Sequence, residues 1–367
     1  MQLRLTWKRI AAAAVGASLL GLLVAWSGVI GIGASSGHWK VTDWFLHWVM
    51  QNSVRTHAIG ITAPPLDRPE LVRRGAGHFA TGCAPCHGAP GEPRNPVVLR
   101  QTPPPPALDD LGHWKDRELF WIVENGVKFT AMPAWPAAGR DDEVWAVVAF
   151  LRAMQDMPAE RYRTLAFGGE PPSAGLAALS QPATAVLADC ARCHGRDGNG
   201  RDAHGQVDGA FPILAGQGER YLHDALEAYA AGRRHSGIMQ PAAHRAGAAE
   251  RSALAAHYAR QTPAAREPPA AANERLAELG AAIAQVGLPS QGVPACFACH
   301  DAPARARNPG FPRLDGQPAD YLATQLRLWR DDMRGGGPYA HLMRRIAHEL
   351  EPEQIDAVAV FFAGRQE

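Results

Sequence analysis

Net charge is almost absent from this sequence: 37 Lys and Arg stand against 36 Asp and Glu, leaving +1. No whole-protein field therefore draws the chain to nucleic acid or to an acidic substrate, and nothing in it argues for nucleic-acid binding. Cysteine is scarce, with six in 367 residues, and none lies outside three copies of one short motif. Between Ile10 and Gly33 there is no charged residue at all. What is plentiful is loop chemistry, 30 Pro and 37 Gly, which fits short helices joined by many turns.

The motif is Cys-x-x-Cys-His. It reads Cys83-Ala84-Pro85-Cys86-His87, Cys190-Ala191-Arg192-Cys193-His194 and Cys296-Phe297-Ala298-Cys299-His300. Two thiols three residues apart lie on one side of a helical turn, where each can add to one vinyl group of a porphyrin. The next residue, His, then sits under the iron as its proximal ligand. Three such copies predict three covalently attached c-type haems (heme c). A structural zinc site does not require a His after each second Cys. A thioredoxin-like redox pair would be expected once, in a strand–helix setting. A disulfide within the motif would close only a very short loop.

The motifs are 107 and 106 residues apart, which sets one domain per motif, each roughly 80 to 100 residues and small for an independent apolar core. A buried haem would complete such a core. The uncharged run of 24 residues is long enough to cross a bilayer as one helix. Arg4, Lys8 and Arg9 precede it, so the positive-inside rule keeps the N-terminus in the cytoplasm and exports the rest. The run exceeds a signal peptide's apolar region, and Ala34-Ser35-Ser36 is a poor cleavage site, so an uncleaved single-pass anchor in the bacterial inner membrane is expected. Within residues 39–50, Trp44, Phe45, Trp48 and Val49 share one helical face. That face suits either the lipid headgroup level or an integral-membrane partner.

Residues 211–229 and 311–329 repeat each other at an offset of 100: Phe-Pro-Ile-Leu-Ala-Gly-Gln and Phe-Pro-Arg-Leu-Asp-Gly-Gln, then Tyr221, Leu222, Leu226 against Tyr321, Leu322, Leu326. This marks a duplicated unit. For a sixth iron ligand each domain offers a methionine, Met132, Met239 or Met343, which precedes a helix-ending aromatic (Phe150, Tyr258, Phe361) by 18, 19 and 18 residues. Met333 competes with Met343, and His235, His244 and His341 are substitutes. Each proximal imidazole needs an acceptor on its other nitrogen. Pro212, Pro312 and the run Pro103 to Pro106 are candidates to present carbonyls. Arg196-Asp197-Gly198-Asn199-Gly200 lacks the acid spacing of a calcium loop and reads as the turn after the haem motif.

The expected organisation is all-α: a cytoplasmic tail 1–9, the anchor 10–33, a juxtamembrane amphipathic segment 34–67, and three haem domains. These span 68–160, 183–262 and 273–367, with connectors at 161–182 and 263–272.

About 300 of the 367 residues resemble class I cytochromes c in three consecutive domains. Gly75 and Phe79, eight and four residues before Cys83, match the N-terminal helix of that family, and Phe150 matches the aromatic of its C-terminal helix. The second and third domains are similar to the two halves of periplasmic di-haem cytochromes of the class-four type, on both Phe-Pro-x-Leu-x-Gly-Gln turns, Tyr221 and Tyr321, and Met239 and Met343. They depart from the class I pattern at Pro182 and Val186, and at Leu288 and Gly292. The whole plan is also similar to three-haem subunits of membrane-bound periplasmic dehydrogenases, which commonly carry the anchor at the other end. The resemblance implies short helices around edge-exposed haems, single-electron transfer without substrate chemistry, a dehydrogenase or terminal oxidase as partner, and membrane lipid around the anchor. A multi-haem peroxidase with one open iron site is the alternative; three matched methionines argue against it.

Overall fold

A computed structural model describes residues 6–168, 182–200, 209–264 and 274–365; most of both expected connectors lies outside them. Among the described residues there are helices and two isolated bridges, Ala89 with Glu92 and Leu288 with Val293, but no strand.

α1 (Trp7–Trp26) buries none of its residues and is long and apolar enough to cross a membrane. At about 1.5 Å per residue it spans roughly 30 Å, the thickness of a hydrocarbon core. The uncharged run continues to Gly33, but the helix stops at Trp26. Ser27 caps it, and Gly28 takes a φ of 72° that ends the helical path. α2 (Lys40–His57) is longer than its aromatic segment. Its far end inserts Val54 and the following Ala58 into the first domain, with His57 against Trp121. Its near end leaves Trp44 and Trp48 stacked and exposed.

The first domain contains α3 (Pro69–Gly82), α4 (Ala84–His87), α5 (Asp116–Asn125), α6 (Asp141–Ala153) and α7 (Ala159–Phe167). Pro69 and Glu70 start α3, and Asp141, Asp142 and Glu143 fill the first turn of α6, where carboxylates favour the helix dipole. α3 and α6 cross so closely that a Cβ on Gly75 would lie 1.8 Å from the Ala146 carbonyl oxygen. The crossing brings Phe79 and Phe150, both fully buried, to 5.1 Å between ring centroids. Each such aromatic contributes roughly 1.5–3 kcal/mol through burial. The stretch expected to be a connector from 161 is instead the body of α7. Tyr162, Ala166 and Phe167 pack into the same core, so the first domain runs on to at least Phe167. Its arginines and alanines hid an apolar face with i, i+4 spacing.

The second domain contains α8 (Pro182–His194), α9 (Glu219–Ala230), α10 (Met239–Arg245) and α11 (Ala248–Ala259). Its core is small: Leu222, Leu254, Ala255 and Tyr258, with Val186 and Cys190 against it. The turn 196–200 pins the end of α11, since the buried Asn199 donates to the Thr262 carbonyl and accepts from Ala264 N–H.

The third domain contains α12 (Glu274–Val286), α13 (Phe297–His300), α14 (Ala302–Arg307), α15 (Ala319–Arg330), α16 (Ala340–His348) and α17 (Pro352–Gly364). The crossing of α3 and α6 recurs between α12 and α17, but on Gly280, whose Cβ would lie 2.1 Å from the Ala357 carbonyl oxygen. Leu288 and Gly292, which fill the sequence positions of Gly75 and Phe79, sit in a loop after the helix. That loop, closed by the Leu288–Val293 bridge, shifts the register between helix and motif by eight residues.

The domains are joined through polar contacts. Between the second and third, the Gln217 side chain exchanges hydrogen bonds with the Arg313 backbone (2.7 and 2.9 Å), and Gln317 does the same with Ile213 (2.7 and 3.0 Å). The repeat thus pairs with itself about a local two-fold axis. Between the first and second, Arg73 donates to Gly200 O, Arg74 to Ala210 O and Arg140 to His235 O. His235 donates onward to the Met333 carbonyl at 3.2 Å, so all three domains meet there.

His78, buried on α3 beside Trp135, has its pKa pushed down to about 3, chiefly by burial and then by Arg74. It is neutral when folded, whereas the unfolded chain takes up a proton below about pH 6.5. Stability therefore falls as pH drops from about 6.5 toward 3, by up to roughly 1.4 kcal/mol per unit. Guanidinium unfolding should show the wild type losing roughly 2 kcal/mol more than His78→Phe between pH 7 and 4.5. Equal losses would show that His78 is protonated in the folded state.

Candidate functional site

The three cysteine pairs sit at helix turns beside their domain cores. Cys83, Cys190 and Cys296 each pack against the core of their own domain. All six thiols are free. Burial pushes Cys83 and Cys190 up to about 12 and Cys296 up to about 11, as expected for thiols in apolar surroundings. Among the described residues no three His, Cys, Asp or Glu side chains gather into a metal-binding cluster.

The histidines repeat one geometry. His87 Nδ1 lies 2.9 Å from the Pro106 carbonyl oxygen, His194 Nδ1 3.3 Å from Pro212 O, and His300 Nδ1 2.9 Å from Pro312 O. Of the four prolines in the first domain's run, the last one serves. The locked φ of proline restricts the direction in which its carbonyl can point. Each ring keeps Nε2 for another partner, the tautomer that an iron-binding imidazole needs. Burial lowers the pKa of His87 and His300 and brings that of His194 to about 4, so the rings are neutral.

Met132, Met239 and Met343 are all half-buried. Met132 lies in a tight loop: its N–H donates to Thr130 Oγ1, its carbonyl accepts from Val127, and Trp135 N–H closes onto Glu124 O. Met239 begins α10, with its N–H on Ser236 Oγ at 3.0 Å. Met343 lies on α16 against the third core. Met333 is engaged elsewhere: its Cε occupies the space beside Gly139 of the first domain, 1.7 Å from where a Cβ would begin. His244 and His341 are exposed, His341 bonding the Pro338 carbonyl. Of the residues weighed as ligands, the structure thus separates Met343 from Met333.

The sequence reading missed a buried cationic cluster between the second and third domains. Arg234 and Arg334 are also 100 residues apart and are 5% and 6% exposed. Arg234 donates to the Tyr321 hydroxyl and Gln325 and covers the Tyr229 ring; Arg334 lies 3.6 Å from the Trp329 ring centroid. Burial, and then Arg234, lowers the pKa of Arg334 to about 10. Two of its nitrogens find no partner among the described residues. The repeat offset could have revealed the pair. Each domain also holds a buried aromatic polar atom without a partner among the described residues: Tyr162 Oη, Tyr258 Oη and Trp329 Nε1. Free paired thiols, an oriented imidazole, and buried donors suited to porphyrin carboxylates together fit haem c in each domain.

An all-α chain with three such sites is defined as a c-type cytochrome, an electron carrier rather than an enzyme. Residues 70–151 match the family described as cytochrome C oxidase, cbb3-type, subunit III, and residues 182–257 match the family cytochrome c. The chain belongs to the cytochrome c family, and within it is homologous to cytochromes c4 and to thiosulfate dehydrogenase electron acceptors. It is 36% identical over 178 residues to the thiosulfate dehydrogenase electron acceptor of Thiomonas intermedia, covering 48% of this chain and 79% of that protein. It is 33% identical to the protein of that name from Stutzerimonas stutzeri, covering 63% and 94%. To cytochrome c4 of Azotobacter vinelandii it is 33% identical, covering 55% and 94%.

Proposed function

We propose that this cytochrome is a membrane-anchored, three-haem relay. It takes single electrons from a periplasmic dehydrogenase and passes them along the outer face of the inner membrane toward a terminal oxidase. The observation that carries the reading is the thrice-repeated His–Pro carbonyl pair, in domains joined by direct polar contacts. Bound haem supplies the ferrous/ferric couple at each site. The residues of the chain attach it, orient the imidazoles of His87, His194 and His300, and offer Met132, Met239 and Met343 as second ligands. Methionine–histidine ligation raises the potential, which suits a carrier late in a respiratory chain. Two relatives are named as electron acceptors of thiosulfate dehydrogenase, which makes that enzyme the first donor to test.

α1, with Lys8 and Arg9 at its start, holds the chain in the membrane with the haem domains in the periplasm. The exposed Trp44–Trp48 face of α2 rests at the headgroup level. The test is extraction in mild detergent followed by mass spectrometry of what accompanies the chain, and stopped-flow mixing with a thiosulfate dehydrogenase and thiosulfate. Reduction of all three haems within the enzyme's turnover time is expected. A protein that copurifies only with a quinol-oxidising complex, and is not reduced in the mixing experiment, would refute the dehydrogenase partner.

A further inference from the structure

One carboxylate of the first domain grips the methionine loops of two haem sites. Glu143, 3% exposed, lies in the first turn of α6. Its Oε1 accepts from Ser236 Oγ at 2.6 Å and pairs with Arg140 at 2.8 Å. Its Oε2 accepts from Gly237 N–H at 2.7 Å and Trp135 Nε1 at 3.0 Å. Ser236, Gly237 and Met239 belong to one short loop, and the Ser236 hydroxyl that donates to Glu143 accepts the Met239 N–H. Trp135 follows Met132 by three residues and presses on Gly237, where a Cβ would lie 2.4 Å from Nε1. A hydroxyl that donates to a buried carboxylate is polarised and becomes a better acceptor for the Met239 amide.

We infer that Glu143 is a positioning residue that sets the Met239 ligand of the second haem from within the first domain, tying it to the loop that carries Met132. This rests on Met239 being the distal ligand of the second iron. Among the described residues, the side-chain partners of Glu143 are Ser236, Gly237, Trp135 and Arg140, none of them on α16, which carries Met343.

The test uses the full chain in detergent, as wild type, Glu143→Gln, Ser236→Ala and Ser236→Thr. The readouts are the ferrous methionine methyl resonances, haem potentials, and imidazole binding to ferric protein. The second haem's resonance is assigned as the one lost in Met239→His. Glu143→Gln and Ser236→Ala should each shift that resonance and its haem's potential. They should raise imidazole affinity at that haem by about tenfold or more, the effect of one charge-assisted hydrogen bond. The third haem should not change, and Ser236→Thr, which keeps the hydroxyl, should behave as wild type. A folded Glu143→Gln or Ser236→Ala protein with wild-type values at the second haem would overturn the inference. A wild type in which Met239→His removes no methionine resonance would overturn the ligand assignment, and the inference with it.

Discussion

Alanine at Gly75 will prevent the first domain from reaching its native packing, whereas alanine at Gly82, on the same helix, will leave it intact. The first Cβ would fall 1.8 Å from the Ala146 carbonyl oxygen and 2.8 Å from Phe150 Cβ, while the second meets nothing within 4 Å. Neither neighbour of Gly75 is the free end of a side chain, so relief requires α3 and α6 to move apart. Separating them opens the Phe79–Phe150 contact on which the core is centred. The cost should be about 3 kcal/mol or more, at the upper end of overpacking effects. Thermal melts followed through the first haem's spectrum should show a large loss for Gly75→Ala and almost none for Gly82→Ala. Gly280→Ala should do to the third domain what Gly75→Ala does to the first. A Gly75→Ala protein melting like wild type would mean that the helices do not cross there.

Replacing Met132 by His should lower the potential of the first haem alone and remove its methionine-to-iron near-infrared band. Axial ligands move haem potentials over about 0.8 V, and exchanging thioether for imidazole should account for roughly 0.2 V of that range. Met132 sits in a loop fixed by Thr130, Val127 and Glu124, so the new ring enters a preformed loop rather than remaking it. Spectroelectrochemical titration should show one component moving down and two staying in place. An unchanged titration would show that Met132 is not a ligand. A wild type with only two methionine bands would return the open-site peroxidase reading.

The haem attachment sites were legible in the sequence because their chemistry is local: two thiols and an imidazole within five residues need no tertiary context. The proline carbonyls were half legible. Pro212 and Pro312 follow from the repeat, but only the fold selects Pro106 from the four consecutive prolines at 103–106. The crossing glycine of the third domain was not located, because counting back from Cys296 lands on Leu288 and Gly292, whereas the loop after α12 moves the crossing eight residues further back, to Gly280. The buried face of α7 was hidden for a similar reason, since a helix rich in Arg and Ala shows its apolar stripe only once something packs on it.

By itself the sequence determined that this protein is helical, carries three covalent haems, and has one apolar helix fit to cross a membrane. These follow from short-range patterns, namely motif spacing, helical periodicity and a run without charge. Only the tertiary structure decided which methionine stands beside the third core, where Arg234 and Arg334 meet, and that Glu143 reaches from one domain to hold another domain's loop. Those depend on residues some hundred positions apart, and their partners are chosen by packing and by the cost of burying a polar group without a hydrogen bond.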